Sequence, residues 1–147
     1  MIYHYGADGV IGTFNCKKTK EYQEQKKLFL EDMIDIYING KKMDFNFYYS
    51  HTESEEIKEI KVKYKFKKKI TDMSLLFCNT DLKSIDFSSF DSSDVTDVHG
   101  LFWRCYSLES INFSSFNMSN VINMGGMFNN CQKIKSLDLS LFNTNKV

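Results

Sequence analysis

Apolar positions recur with a step of 26 residues through the second half of the chain. The step divides this part into three units, 70–94, 95–120 and 121–146, and Val147 begins a fourth. Repetition at this length is typical of solenoid proteins, in which each unit packs only against its neighbours. The positions that keep the step are Val95, Val121 and Val147; Ile85, Ile111 and Leu137; and Phe90, Phe116 and Phe142.

Each unit contains two different local patterns of apolar residues. Ile85 and Phe87 alternate with polar neighbours, which is the pattern of a strand with one buried face. Earlier in the same unit, Met73, Leu76 and Phe77 follow the i, i+3, i+4 spacing of a helical turn. Both patterns return in the second and third units. We therefore predict an α/β solenoid of 26-residue coils with parallel strands, each coil made of a short helix, a turn, a strand and a polar turn.

The first 69 residues follow other patterns. Asn39-Gly40 lies between two alternating runs and favours a type I′ hairpin, because both turn positions need positive φ. This hairpin places Ile36 opposite Met43. Residues 60–66 alternate strictly and predict a further strand, while residues 19–33 predict a helix. We therefore expect a β-rich (α+β) cap over the first coil of the solenoid.

The charge balance changes sign at Lys69. Basic residues exceed acidic residues by three before this point, and acidic residues exceed basic residues by three after it. No linker rich in glycine and serine lies between the two parts, so we expect them to pack directly on each other. The predicted organisation is a hairpin-containing cap region over residues 1–69 and three coils over residues 70–147, with the array truncated at the C-terminus.

Composition excludes several classes of protein. The 19 basic residues balance 19 acidic ones, so the chain lacks the basic surface of a general nucleic-acid binder. No apolar run approaches the roughly 20 residues that a membrane helix needs. The first residues do not have the pattern of a signal peptide. We expect no nucleic-acid partner and no membrane insertion, and the localisation stays open at this point.

The repeat units carry a resemblance to a known family. The second unit begins Val95-Thr-Asp-Val-His-Gly-Leu-Phe, and the third begins Val121-Ile-Asn-Met-Gly-Gly-Met-Phe. Each continues through a cysteine to a strand-like run ending in phenylalanine. Such units resemble the BspA-like leucine-rich-repeat family of bacterial and protist surface proteins, over residues 70–147. The resemblance implies a leucine-rich-repeat-type solenoid, a cell-surface or extracellular location, and adhesion or binding of protein partners of host or cell-surface type. It implies no catalysis.

No group of residues in the sequence predicts an enzyme, a cofactor or a metal site. The glycines near the N-terminus have G-x-x-G-x-x-G spacing, which is not the dinucleotide fingerprint and fits turns better. The histidines stand far apart without other metal ligands at suitable spacing. The recurring serine lacks a G-x-S-x-G elbow, and a turn after the strand explains it. These residues are Gly6, Gly9 and Gly12; His4, His51 and His99; and Ser88, Ser114 and Ser140.

The candidate partner-binding residues lie on the outward face of the predicted strands and at one turn. The first strand column alternates in charge, so neighbouring members should attract each other weakly. Trp103 and Arg104 are the only residues of their types, and both types are frequent at binding hot spots. A Trp103 that merely covers the turn explains its presence equally well. The two strand columns are Lys83, Glu109 and Lys135, and Asp86, Asn112 and Asp138.

Each of three features is compatible with two interpretations. Cys105 and Cys131 share a column, which suits either a disulfide or two buried thiols packed as small apolar groups. A lysine stripe on the predicted strand 60–66 suits either an anionic partner or an ordinary solvated face. Asn117, and less favourably Asn112, begin glycosylation sequons that matter only in an exported chain. The stripe consists of Lys61, Lys63, Lys65 and Lys67.

The end of the repeat offers an alternative function. A fourth unit begins at Val147, and the sequence predicts no capping segment after the third. An open apolar end of this kind stacks readily on another unit. The alternative to partner binding is therefore a structural segment that self-associates, or assembles with other repeat coils, end to end.

Overall fold

A computed structural model of the chain describes residues 2–5, 11–12, 30–44, 48–49 and 60–147. Eight strands lie in these ranges, and residues 30–33 are helical. The strands are β1 (Ile2–Tyr5), β2 (Ile11–Gly12), β3 (Ile34–Ile38), β4 (Lys41–Met43), β5 (Tyr48–Tyr49), β6 (Ile60–Phe66), β7 (Leu82–Asp86) and β8 (Ser110–Asn112).

Six of these strands form one sheet, in the order β4-β3-β6-β1-β7-β8. All neighbouring pairs in it are antiparallel except β7 and β8, which run parallel. The remaining strands, β2 and β5, form a second, antiparallel pair. Because β1 lies between β6 and β7, the larger sheet runs across the predicted boundary at Lys69. Described residues on both sides of that boundary also share one hydrophobic core.

The hairpin and the strand predicted in the first part of the chain are confirmed. Asn39 and Gly40 have φ angles of 46° and 84°, the left-handed conformations that a type I′ turn needs. Ile36 lies opposite Met43. Strand β6 covers the seven residues of the predicted alternating run. Of the predicted helix 19–33, residues 30–33 are helical, and the rest lies outside the described residues.

The predicted α/β leucine-rich-repeat-type solenoid of parallel strands is wrong. The described part of the chain is mostly antiparallel sheet, and its parallel ladder joins only β7 and β8. Ile85 lies opposite Ile111 in that ladder, as the 26-residue step predicts, but Leu137 belongs to no strand. The step therefore places neighbouring units side by side without producing a continuous stack of strands.

The predicted short helices are also wrong, because consecutive turns replace them. Leu75, Gly100 and Gly126 occupy equivalent positions in the three units and have φ angles of 57°, 56° and 63°. A right-handed helix needs negative φ throughout, so no helix continues through such a residue. In the first unit the N–H of Leu76 donates to the carbonyl of Met73, three residues back, at 3.2 Å. Turns of the same kind close the other two units.

Aromatic rings fill the core where the units meet. The ring of Phe102 lies between those of Phe77 and Phe128, with centroid distances of 5.7 and 5.9 Å, and is nearly parallel to both. Phe87 stacks on Phe113 in the same way, at 5.6 Å. Large buried rings contribute much of the energy of a core. These columns therefore fix the position of each unit on its neighbour.

Candidate protein-binding site

The first predicted column, Lys83, Glu109 and Lys135, is exposed in all three units. Its members form no ion pair with one another within 4.0 Å in the described part of the chain, so the expected attraction between neighbours produces no close contact. Glu109 contacts Lys83 through the backbone instead, because its N–H donates to the carbonyl of Lys83 at 2.8 Å. The column is available to a partner, but nothing in its geometry concentrates it into a site.

The second predicted column, Asp86, Asn112 and Asp138, shapes the turn after each strand position. Each side-chain oxygen accepts the backbone N–H of the serine two residues later, at 2.8, 3.0 and 3.0 Å. Hydrogen bonds from Ser88 hold the pKa of Asp86 below its usual range, and those from Ser140 do the same for the pKa of Asp138. This local bonding explains the recurring serine, and it leaves these side chains already engaged.

Trp103 and Arg104 lie together at the turn of the second unit. The guanidinium carbon of Arg104 is 4.9 Å from the centre of the Trp103 ring, a cation–π contact. Trp103 is half-buried and packs on Leu75 and Cys78, so it covers the turn, as one of the two interpretations of this residue predicted. Beside the ring is a shallow cleft of about 150 Å³, which is also lined by His99, Gly100, Gly126 and Asn129.

The paired cysteines are thiols and form no disulfide. The Sγ–H of Cys105 donates to the carbonyl of Phe77 at 2.9 Å, and that of Cys131 donates to the carbonyl of Phe102 at 3.0 Å. The hydrogen bond to Cys105 and burial together raise the pKa of the Cys131 thiol. A neutral, bonded thiol is a poor nucleophile. Each thiol is hydrogen-bonded to a carbonyl of the preceding unit, so these cysteines act as packing groups at the junction of two units.

Both sequon asparagines are engaged in local turns. The side-chain oxygen of Asn117 accepts the N–H of Ser119 at 2.9 Å, and Asn117 is exposed. Asn112 ends β8, and its side-chain oxygen accepts the N–H of Ser114. Glycosylation of either residue stays a prediction.

A row of unused backbone donors runs along the third unit. In the second unit, alternate N–H groups donate to carbonyls of the third at 2.8–2.9 Å; they belong to Val98, Gly100, Phe102 and Arg104. The first unit donates to the second through the same positions. The equivalent donors of the third unit have no acceptor among the described residues. We call this row the donor edge; it consists of the N–H groups of Met124, Gly126, Phe128 and Asn130.

Apolar side chains become exposed along the same unit. Phe113 is 5% exposed, whereas Leu139 at the equivalent position is 40% exposed. Val121 is fully buried, whereas Val147 is 55% exposed. Leu141 and Ile122 add two further exposed groups, at 63% and 62%. Exposed apolar groups and main-chain donors without a described acceptor therefore occur in the same part of the chain, a combination found at sheet edges that bind other chains.

The repeat pattern predicted an open apolar end but gave no indication of the donor edge. The sequence feature that could have indicated the donor edge is the recurrence of turn residues in each unit. Residues with positive φ in these turns determine which N–H groups point toward the next unit. Gly100 and Gly126 are two such residues. A predicted helix allows no positive φ at these positions, so the helix prediction excluded the turns that orient the donors. Gly6, Gly9 and His51 lie outside the described residues. Gly12 ends β2, His4 lies in β1, and His99 lies at the Trp103 cleft.

The described residues offer little for other chemistry. No group of three or more His, Cys, Asp or Glu side chains among them could hold a metal ion. No helix in the described ranges has the length and apolar content needed to cross a bilayer.

Comparison with known proteins identifies one family. The profile described as "Mycoplasma protein of unknown function, DUF285" matches residues 41–147, which is most of the chain and includes all three units. No curated protein and no solved structure matches the chain.

Proposed function

The chain belongs to the DUF285 family, and we propose that it is a non-catalytic protein-binding module whose binding site is the donor edge with its flanking apolar side chains. The observation that carries the proposal is the row of four N–H groups in the third unit that have no acceptor among the described residues. The resemblance of the repeat units to BspA-like surface proteins supports an adhesion-type role, with a partner of host or cell-surface type.

The energetics of the donor edge favour a polypeptide partner. A partner that runs along the edge would supply carbonyl oxygens to the four donors, each bond contributing about 0.5–1.5 kcal/mol net. Covering Leu141 and Ile122 would add about 1.5–3 kcal/mol for each fully buried side chain. Main-chain bonds of this kind give affinity, and the side chains between them give specificity.

A second copy of the chain fits the donor edge less well, which weighs against the self-association alternative. Two edges meeting end to end would place N–H donors against N–H donors. Stacking on the first unit of another copy meets an obstacle as well, because β1 already occupies the outer edge of β7. The ring of Tyr64 also lies against Phe77 of the first unit, with centroids 5.7 Å apart.

The test compares the whole chain with a double variant, Ile122→Lys with Leu141→Lys, that places charge at two exposed apolar positions of the third unit. The control is Tyr106→Lys, because Tyr106 is 44% exposed and lies in the second unit. Each protein is immobilised and exposed to a detergent extract of cell-surface proteins. We expect one or more proteins to be retained by the wild type and the control, and to be reduced at least tenfold on the double variant.

Amide hydrogen exchange of the resulting complex then locates the contact. The N–H groups of Gly126 and Phe128 should exchange rapidly in the isolated chain and slowly in the complex. Those of Gly100 and Phe102 should be protected in both, because the third unit already accepts their hydrogen bonds. Equal retention by the double variant, or a complex in which Gly126 and Phe128 gain no protection, would contradict the proposal.

A further inference from the structure

The outer face of β6 carries a row of lysines that no described carboxylate contacts within 4.0 Å. Alternate residues of the strand point to opposite faces. Val62 and Tyr64 are buried in the core, whereas the residues between and beside them are exposed. We call the three exposed residues the lysine face; they are Lys61, Lys63 and Lys65.

The neighbouring strand provides one carboxylate, and it is already occupied. Asp35 of β3 lies opposite Lys65 in the sheet. Its Oδ1 is 2.9 Å from Nζ of Lys42 and 3.7 Å from Nζ of Lys67. The hydrogen bond from Lys42 also holds the pKa of Asp35 below its usual range. The lysine face forms no ion pair within 4.0 Å with any residue that the structure describes, and Lys65 acts on Asp35 only at longer range. Most of the charge of the face is therefore available to a partner.

A shallow groove follows the lysine face. Its volume is about 520 Å³, and Tyr37 and Gly40 line it together with the three lysines. Alternate residues on a strand are about 6.5 Å apart, so the face presents three positive charges over about 13 Å in a single row. The Tyr37 ring gives one wall of the groove an aromatic surface.

We propose that the lysine face binds an extended acidic polypeptide segment with carboxylates at alternate positions. An extended segment has the same two-residue spacing as β6, so successive carboxylates meet successive lysines. A nucleic acid is disfavoured because the chain as a whole has no excess of basic residues and the groove offers one aromatic ring for stacking. A membrane surface is disfavoured because the three charges form a single row one strand wide. This site is separate from the donor edge and does not depend on it.

The experiment uses two labelled ten-residue peptides of equal charge. One alternates glutamate and serine, and the other has five glutamates followed by five serines. Binding to the full chain is measured by fluorescence anisotropy at 50 and 300 mM salt. We expect the alternating peptide to bind at least fivefold more tightly, and both affinities to fall with salt.

A matched pair of triple variants assigns the binding to the face. Lys61→Gln, Lys63→Gln and Lys65→Gln together should weaken binding of the alternating peptide at least tenfold. The control removes the same charge elsewhere, through Lys83→Gln, Lys133→Gln and Lys135→Gln, and should change the affinity less than twofold. Circular dichroism confirms that both variants fold.

Three results would overturn the proposal. Equal affinity for the two peptides would mean that charge spacing plays no part. Equal loss in the two triple variants would mean that net charge alone attracts the peptide. Tighter binding of a ten-nucleotide single-stranded DNA, or of vesicles with 30% phosphatidylserine, would assign the face to a different class of partner.

Discussion

Phe102 in the second unit and Phe128 in the third occupy the same position of the repeat and stack on each other, yet only Phe102 is fully buried. The second unit has a neighbour on each side, whereas the third has a described neighbour on one side only. The pattern of apolar residues is nearly the same in both. The difference teaches that burial in this chain is set by adjacent units more than by the residues of one unit.

Strand formation follows the same gradient. The first unit forms the five-residue strand β7, which pairs with both β1 and β8. The second forms the three-residue strand β8, paired on one side. The third forms no strand over residues 134–139. A ladder gains hydrogen bonds from each neighbour, so the alternating apolar pattern yields a shorter strand with each step away from the centre of the sheet.

The largest effect should come from removing the stacked rings. Phe102→Ala should lower the free energy of unfolding by about 3–5 kcal/mol, because it opens a cavity between two other rings. Phe128→Ala should lower it by about half as much, since its ring is partly exposed. Urea denaturation of both variants measures the difference. Equal losses would show that the third unit is packed as tightly as the second.

An intermediate loss of stability should distinguish alanine substitutions at Gly100 and Gly126, the two glycines with positive φ in the repeat units. A Cβ at Gly100 would lie 2.6 Å from Cδ2 of Leu75, whereas a Cβ at Gly126 would meet only Cβ of Asn129, at 3.9 Å. Alanine costs about 1–2 kcal/mol at either site for its positive φ. Gly100→Ala should cost about 1–3 kcal/mol more because of the overlap. Thermal unfolding compares the two variants.

A double variant checks that the overlap is the cause. Leu75→Ala removes the atom that a Cβ at Gly100 would strike, so Gly100→Ala with Leu75→Ala should cost less than the sum of the single substitutions. Additive losses would contradict the steric explanation and leave only the backbone penalty.

The smallest change in stability should come from replacing the aspartates whose carboxylates accept hydrogen bonds in the turns. Because the folded pKa of Asp86 is lowered, its contribution to stability is present above the unfolded value and is lost as pH falls through the folded value. Asp86→Asn keeps the acceptor, as Asn112 does naturally, and should change stability by less than about 0.5 kcal/mol at pH 7. The variant should lose less stability than the wild type between pH 6 and pH 3, measured by thermal melts.

The third unit provides the comparison for this titration. Asp138 makes the same turn, but no strand precedes it. Asp138→Asn should therefore change the acid sensitivity of global unfolding less than Asp86→Asn does. An equal or larger change would mean that the third unit unfolds together with the sheet.

Local patterns predicted the parts of the fold that depend on neighbouring residues. The Asn39-Gly40 turn, the register of Ile36 with Met43, and the alternation of β6 follow from backbone preference and from one buried face. The 26-residue step also predicted that Ile85 lies opposite Ile111. These features are decided within a hairpin, a strand or one pair of units.

The errors have a common physical source. The i, i+3, i+4 pattern of Met73, Leu76 and Phe77 matches a helix, but turns with a left-handed residue bury the same side chains. Apolar spacing does not report the sign of φ at Leu75. The place of β1 between β6 and β7 depends on pairing over long separations in sequence, which no local pattern contains. The fold class was wrong for that reason.

The candidate site was predicted in part. The exposed apolar groups of the third unit follow from the repeat, because the described residues contain no fourth unit that would cover them. The donor edge does not, because it depends on which backbone N–H groups the turns direct outward. The lysine stripe was visible in the sequence, but its significance depends on Asp35 being occupied by Lys42 and Lys67.

The central position of β1 has a consequence for synthesis of the chain. Ile2 pairs with Lys63 on one side and with Asp86 on the other. β1 is synthesised before both of its partners, so the sheet cannot close until translation has passed Asp86. Long separations of this kind slow folding, because loop closure precedes any gain from pairing. Until then, β1 has exposed hydrogen-bonding edges that nascent-chain chaperones would need to shield.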